Sequence, residues 1–300
     1  MNIKRRNFLK GIAGAGVGVA ASPLLTSKAL ASEVKKLEAN HIGMLYDATK
    51  CIGCKSCEVA CKKANNMPVE YDAEGIYDAP RDLSKESLNI IKLYKGPEGI
   101  SFIKRQCMHC VDPSCVSGCP TSALNKTANG IVTYDKDACC GCRYCQMNCP
   151  FNIPKFEFDD FYGEIKKCEL CRTTNLVENG QPACTEACPT GAVIFGKVTS
   201  LLAEAKQRLE IDNKRSANSA DKVNYINQVY GEFEGGGTSV LYLSKVPFEK
   251  LGLPNLPDYS QASLSEGIQH TLYQGLIAPA VIYAGLAAIA FKNRSGKKED

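Results

Sequence analysis

No Ser/His/Asp arrangement and no pair of carboxylates at acid–base spacing occurs in this sequence, so nothing points to hydrolysis or general acid–base work. Glycines 11, 14, 16 and 18 never complete a G-x-G-x-x-G and follow no strand, which removes the phosphate-loop readings. A basic stripe is missing too. Residues 1–31 hold five Lys/Arg and no acid; taking those five from the formal +4 leaves −1 from Ser32 onward, and nucleic acid is not an expected partner. Shortness is also absent. A chain of 300 residues with 44% hydrophobic side chains buries a core without staples, so its 17 cysteines call for a chemical explanation.

That explanation starts at Cys139. The run Cys139-Cys140-Gly141-Cys142-Arg143-Tyr144-Cys145, closed by Cys149-Pro150, is C-x2-C-x2-C-x3-C-P, the spacing with which bacterial ferredoxins hold [4Fe–4S] clusters. Three evenly stepped cysteines can meet three corners of one cubane, while the fourth faces away towards a neighbouring cluster. Structural zinc prefers two separated C-x2-C pairs, which this run lacks. Cys51, Cys54, Cys57 and Cys61 repeat the spacing, with a glycine before and a basic residue after the second cysteine in both. Two looser groups follow: Cys107, Cys110, Cys115 and Cys119, then Cys168, Cys171, Cys184 and Cys188, both ending Cys-Pro-Thr-x-Ala. Four groups of four are enough for four cubanes.

If each fourth cysteine crosses over, the sets are Cys51, Cys54, Cys57 and Cys188; Cys168, Cys171, Cys184 and Cys61; Cys107, Cys110, Cys115 and Cys149; and Cys139, Cys142, Cys145 and Cys119. A hairpin expected over Ala123–Lys126 and Ile131–Tyr134, turning at Asn129-Gly130, joins the second and third groups and suggests that one unit nests inside the other. Spacing alone leaves tandem pairing open. Lys62 after Cys61 departs from the Cys-Pro pattern. Cys140 aligns with Ile52 and is expected to be a small buried filler. His109, between two ligands, is expected to donate to a sulfur or pack beside it, outside the ligand set itself.

The fold class expected is α+β: two ferredoxin-like two-cluster domains with short helices after Cys57, Cys115, Cys145 and Cys184, and an edge strand at Ala192–Phe195. The first domain takes 32–106 and 150–198, the inserted second takes 107–149, and 199–270 is an extension and linker. Residues 62–106 and 172–183 read as insertions for docking or packing. Leu201–Leu209 reads as a surface helix, Asp212–Asp221 as a polar loop, and Gly235-Gly236-Gly237 as a flexible turn.

Both ends read as addresses. Residues 1–31, with paired Arg5-Arg6, a mildly apolar stretch and Ala29-Leu30-Ala31, form a twin-arginine export signal; a retained anchor is disfavoured by its short glycine-diluted apolar part. That route exports folded, cofactor-loaded proteins, so thiolates would meet iron before an oxidant, and the disulfide framework expected of short exported domains recedes. Leu272–Phe291 carries no charge over about 30 Å of helix, which makes 271–291 one membrane crossing. The cations at 292, 294, 297 and 298 put residues 292–300 in the cytoplasm and the cysteines outside, at the periplasmic face. A buried core helix is the competing reading, and His270 with Tyr273 belongs at the membrane interface.

Four cysteine groups in this order resemble the four-cluster iron–sulfur subunits of bacterial respiratory oxidoreductases. Within them the chain is similar to the electron-transfer subunits of the hydrogenase 2 type, through Gly43–Asp47, Gln106–Pro113, Lys167–Cys171, Glu234–Thr238 and Ile268–Tyr273. The resemblance implies nested domains, a [NiFe]-hydrogenase of small and large subunits as electron source, and a multi-span quinone-reactive membrane protein as acceptor. The chain itself would be a non-catalytic relay. Competing readings are an iron–sulfur subunit of a molybdenum oxidoreductase and an exported zinc or disulfide scaffold.

Overall fold

The computed structural model describes residues 35–69, 82–159, 163–216, 219, 221–263, 265–266 and 283–287. The described residues up to Ala262 form one unit; 263, 265–266 and 283–287 are helical and fall in another. The export signal, His270 and the membrane segment apart from 283–287 lie outside the described residues. Among the described residues no helix is long and apolar enough to cross a membrane.

Strand β1 (Ile42–Asp47) is almost entirely buried, and this continuous apolar run is what a central strand covered on both faces requires. It pairs antiparallel with β8 (Val193–Lys197) and parallel with β9 (Val240–Leu243). The expected Ala192–Phe195 strand is therefore the edge of a three-stranded sheet, running out to Lys197. The chain between carries three antiparallel pairs: β2 (Ile90–Gly96) with β3 (Gly99–Arg105), β4 (Leu124–Lys126) with β5 (Val132–Tyr134), and β6 (Lys155–Phe156) with β7 (Ile165–Lys166). The β4–β5 pair is the hairpin expected around Asn129-Gly130. The β2–β3 pair lies in the insertion that had no assigned structure.

Four short helices follow the cysteines: α1 (Ser56–Ala64), α2 (Ser114–Ser117), α3 (Tyr144–Asn148) and, after α4 (Asn175–Asn179), α5 (Ala183–Glu186). Helix α1 packs on α5 and α2 on α3. One apolar cluster surrounds Cys57, Cys61, Cys107, Cys168 and Cys184; a separate one, with Leu124, Val132, Phe156 and Ile165, surrounds Cys115 and Cys145.

The surface helix expected at 201–209 is longer. Helix α6 (Val198–Lys214) buries Val198, Leu201, Ala205 and Leu209 against Leu45, Leu241 and Leu243 of the sheet. Each buried leucine contributes about 1.5–3 kcal/mol. Asp212, read as part of a loop, is instead a buried residue of this helix, and its carboxylate accepts from the N–H groups of Val223 (2.6 Å) and Tyr225 (3.1 Å). The polar pattern misled because these donors lie a dozen residues on.

Gly235-Gly236-Gly237 turns with positive φ at all three residues, but it is tied down rather than flexible. Gly235 donates to Pro257 O, and Gly237 O accepts from Val111 N at 2.9 Å. The following residues hold the second cysteine loop, for Ser239 N–H is shared by the carbonyls of Met108 and His109, and Val240 N–H reaches Met108 O.

Candidate metal centre

Four loops, two tight and two loose by sequence, share one backbone device. The residue before the second cysteine of each group is left-handed: Gly53 (φ 71), His109 (φ 47), Gly141 (φ 69) and Leu170 (φ 56). This conformation curls the chain so that successive cysteines turn to one side, and holding a side-chain-bearing residue there costs about 1–2 kcal/mol. His109 and Leu170 tolerate it because both are fully buried and packing pins them. At Gly53 no side chain fits, since a Cβ would stand 2.3 Å from the Phe102 ring.

The Cys-Pro-Thr-x-Ala endings serve a second device. Burial pushes the Cys119 thiol up, but the N–H groups of Leu124, Thr121 and Ala123, with the Thr121 hydroxyl at 3.8 Å, bring it below its ordinary value. Cys188 is treated alike by Val193, Thr190 and Ala192, with the Thr190 hydroxyl at 3.8 Å. A cradle of amide donors stabilises a thiolate, the form in which cysteine ligates.

The other thiols show which sulfurs share a site. Burial raises Cys51, and Cys54 and Cys188 raise it further. Cys61, pushed to about 12 by burial, feels Cys184 and Cys171; Cys168 feels Cys61 and Cys184. Cys110 is raised by burial and then by Cys149, Cys115 and Cys107. Cys145, at about 11 chiefly through burial, feels Cys119, Cys139 and Cys142. In each crossed-over set at least one thiol lies within the field of a partner drawn from the other group, although fields also reach between sets, as Cys184 acts on Cys57. Two sets wall small cavities of about 20 Å³ each, one lined by Cys51, Cys54, Cys57 and Cys188 and one by Cys119, Cys139, Cys142 and Cys145.

Some fields also cross between sets. Cys57 of the first neighbours Cys184, Tyr242 lies within the field of both Cys168 and Cys107, and Cys115 neighbours Cys145. Cys54 and Cys142 are exposed, so their two sets reach the surface.

All 17 cysteines are free. Cys140 is exposed, not the buried filler expected from its alignment with Ile52; Ile52 itself is 60% exposed, so this loop position faces outward in both repeats. His109 is fully buried with Nδ1 accepting from Val132 N–H at 3.0 Å, which leaves the proton on Nε2, where it has no protein acceptor. Burial, with Lys167 and Lys126 nearby, holds its pKa well below the ordinary imidazole value.

An orphaned buried donor beside Cys107 and Cys110, and crowded buried thiols that repel one another as thiolates, are what an iron–sulfur cluster would satisfy, its sulfurs accepting from the one and its iron binding the other. The donor set fits [4Fe–4S] clusters. Among the described residues no three Cys, His, Asp or Glu side chains converge on a single metal ion.

Sequence reasoning missed the residues that frame these loops. Asp47, fully buried at the end of β1, accepts from Thr49 Oγ1 (2.6 Å), Tyr225 Oη (2.8 Å) and Arg208 Nη1 (3.1 Å), locking α6 to the segment entering Cys51. Lys104 and Lys167 are also buried; Lys167 Nζ donates to Val132 O at 2.5 Å.

Two matches to a 4Fe-4S dicluster domain cover residues 99–198 and 50–124. Both windows are contiguous, so neither decides between nested and tandem domains. The chain is 40% identical to the hydrogenase-2 operon protein HybA of Escherichia coli O157:H7, over 99% of this chain and 98% of that protein. It is 34% identical to the iron–sulfur subunit of the nitrate-inducible formate dehydrogenase of Escherichia coli K12, over 86% of this chain and 85% of that one. The formate dehydrogenase iron–sulfur subunit of Haemophilus influenzae is 35% identical over 82% of this chain and 78% of its own.

Proposed function

The chain belongs to the 4Fe-4S dicluster proteins that include HybA and the formate dehydrogenase iron–sulfur subunits, and from that premise we propose that it is the electron-transfer subunit of a hydrogenase. It makes and breaks no substrate bonds itself. Four [4Fe–4S] clusters supply one-electron storage and transfer, held by the crossed-over sets of four named above, in two nested ferredoxin-like domains. The protein's own part is to commit sixteen thiolates and to leave two of the sites near the surface. His109 offers its Nε2 proton to the set containing Cys107 and Cys110.

The electron source is a [NiFe]-hydrogenase of small and large subunits, and the acceptor is a multi-span quinone-reactive membrane protein. The near-full-length likeness to HybA supports this pairing over a molybdenum enzyme. The export signal at 1–31 and the uncharged stretch at 271–291 support a location at the periplasmic face of the membrane, with 292–300 in the cytoplasm. The observation that carries the reading is the near-full-length likeness to HybA over a chain whose two 4Fe-4S dicluster matches hold four groups of four cysteines.

Purification in mild detergent tests it. Hydrogenase subunits should copurify, and hydrogen should bleach the brown chromophore; copurification of a molybdenum subunit, with bleaching by formate alone, contradicts the assignment. Truncation after Glu266 should release a soluble, still-brown protein, and its retention in membranes without partners would count against the anchor.

A further inference from the structure

Lys104, on β3, is 1% exposed, yet among the described residues no carboxylate pairs with it. Its ammonium donates to Gln106 Oε1, whose own amide is held by Met44 Sδ at 3.1 Å, and its carbonyl accepts from Tyr242 Oη at 2.8 Å. One neutral amide oxygen does not stabilise a buried cation, which needs an anion beside it. The side chain lines the cavity of Cys51, Cys54, Cys57 and Cys188. Its field also reaches Cys57 of that set and Cys184, Cys168 and Cys61 of the adjoining one.

Two other lysines near the sites are buried, Lys62 next to Cys61 and Lys167, and Lys167 differs in its partners. Lys167 has its ammonium on the backbone carbonyls of Val132 and Cys168, and stands by Cys107 and Cys115. The set of Cys119, Cys139, Cys142 and Cys145 has Arg143 near it, exposed and stacked on Phe156 and Phe158.

We propose that Lys104 is a fixed counter-charge that raises the reduction potential of the cluster held by Cys51, Cys54, Cys57 and Cys188, whose cavity it lines, and, less strongly, of its neighbour at Cys61, Cys168, Cys171 and Cys184. The proposal rests on the four-cluster reading. Reduction adds one negative charge to a site that water cannot screen, and a permanent positive charge there favours the reduced form. The electron comes from the reductant, no bond forms or breaks, and no proton moves, because Lys104 is charged in both states. Lys104 is thus a positioning residue for charge and ligates nothing.

The test is an EPR-monitored dithionite titration of the full-length protein in its complex, as wild type, Lys104→Met and Lys104→Arg. Iron and sulfide content of the wild type decides the underlying reading separately. With cluster content intact, Lys104→Met should shift one couple negative by about tenfold in its reduction equilibrium, 59 mV for one electron, and a second by less, leaving two unmoved. Lys104→Arg should restore both. Unmoved couples in Lys104→Met, or equal shifts in Met and Arg variants, overturn the proposal. If Lys104→Met loses iron, Lys104→Gln is titrated and must show the same shift; failure of both neutral variants to load, with Arg loading, assigns the charge to assembly and also overturns it.

Discussion

The loops at Cys51–Cys61 and Cys139–Cys149 have one cysteine spacing, the same left-handed glycine, and a left-handed basic residue after the second cysteine, Lys55 (φ 57) or Arg143 (φ 62), opening a helix. Their surroundings diverge. The first leads into a nine-residue helix packed on α5, with Phe102 against its glycine and Lys104 beneath it. The second leads into five residues of helix with Tyr144 and Met147 exposed, and its basic residue lies over the Phe156 and Phe158 rings at 4.4 and 4.8 Å. Spacing and local backbone therefore dictate that a cysteine loop forms. What it is worth to the fold, and what electrostatic field its sulfurs feel, is decided by strands far away in the chain.

Ligand removal should separate the two regions most sharply. Cys57→Ala and Cys142→Ala should each lose about four irons per chain. Only the first strips the anion from beside buried Lys104, a loss of about 3–5 kcal/mol, so anaerobic urea melts should show it destabilised or unfolded while Cys142→Ala stays folded with three clusters. Equal stability would break the contrast.

The glycines come next. Gly53→Ala combines left-handed strain with a Cβ 2.3 Å from the Phe102 ring, whereas at Gly141 the nearest atom, on Phe156, is 3.7 Å away. The first should cost more than about 3 kcal/mol and the second about 1–2 kcal/mol in the same melts. Arg143→Ala should cost about 0.5–1 kcal/mol, the value of an exposed cation–π contact, with iron content unchanged. Cys140→Ala should be smallest, within about 0.5 kcal/mol, and should abolish rapid alkylation of the loaded protein by iodoacetamide; slow alkylation of the wild type would show that thiol to be buried after all.

Much of this was legible because the ligand loops are local. The C-x2-C steps, the Asn-Gly hairpin and the short helices each depend on a few consecutive residues. The matching Cys-Pro-Thr-x-Ala endings were visible as a repeat, but their use as an amide cradle for Cys119 and Cys188 depends on N–H directions that sequence does not carry. Leu170 and His109 gave no sign of standing where Gly53 and Gly141 stand, since a left-handed residue with a side chain is tolerated only through packing. Lys104 was invisible for a similar reason: in Gly99–Arg105 it looks like any strand lysine, and its burial comes from β9 and the cysteine groups closing over it. Cys140 was misjudged because alignment with an isoleucine suggested burial, and Asp212 because its donors are not its neighbours.

The central claim is that sixteen cysteines are committed to four iron–sulfur clusters. Iron, acid-labile sulfide and zinc measured on anaerobically purified protein test it directly. About sixteen irons and sixteen sulfides per chain, with cubane EPR signals on reduction and negligible zinc, are predicted; stoichiometric zinc in a colourless protein would contradict it.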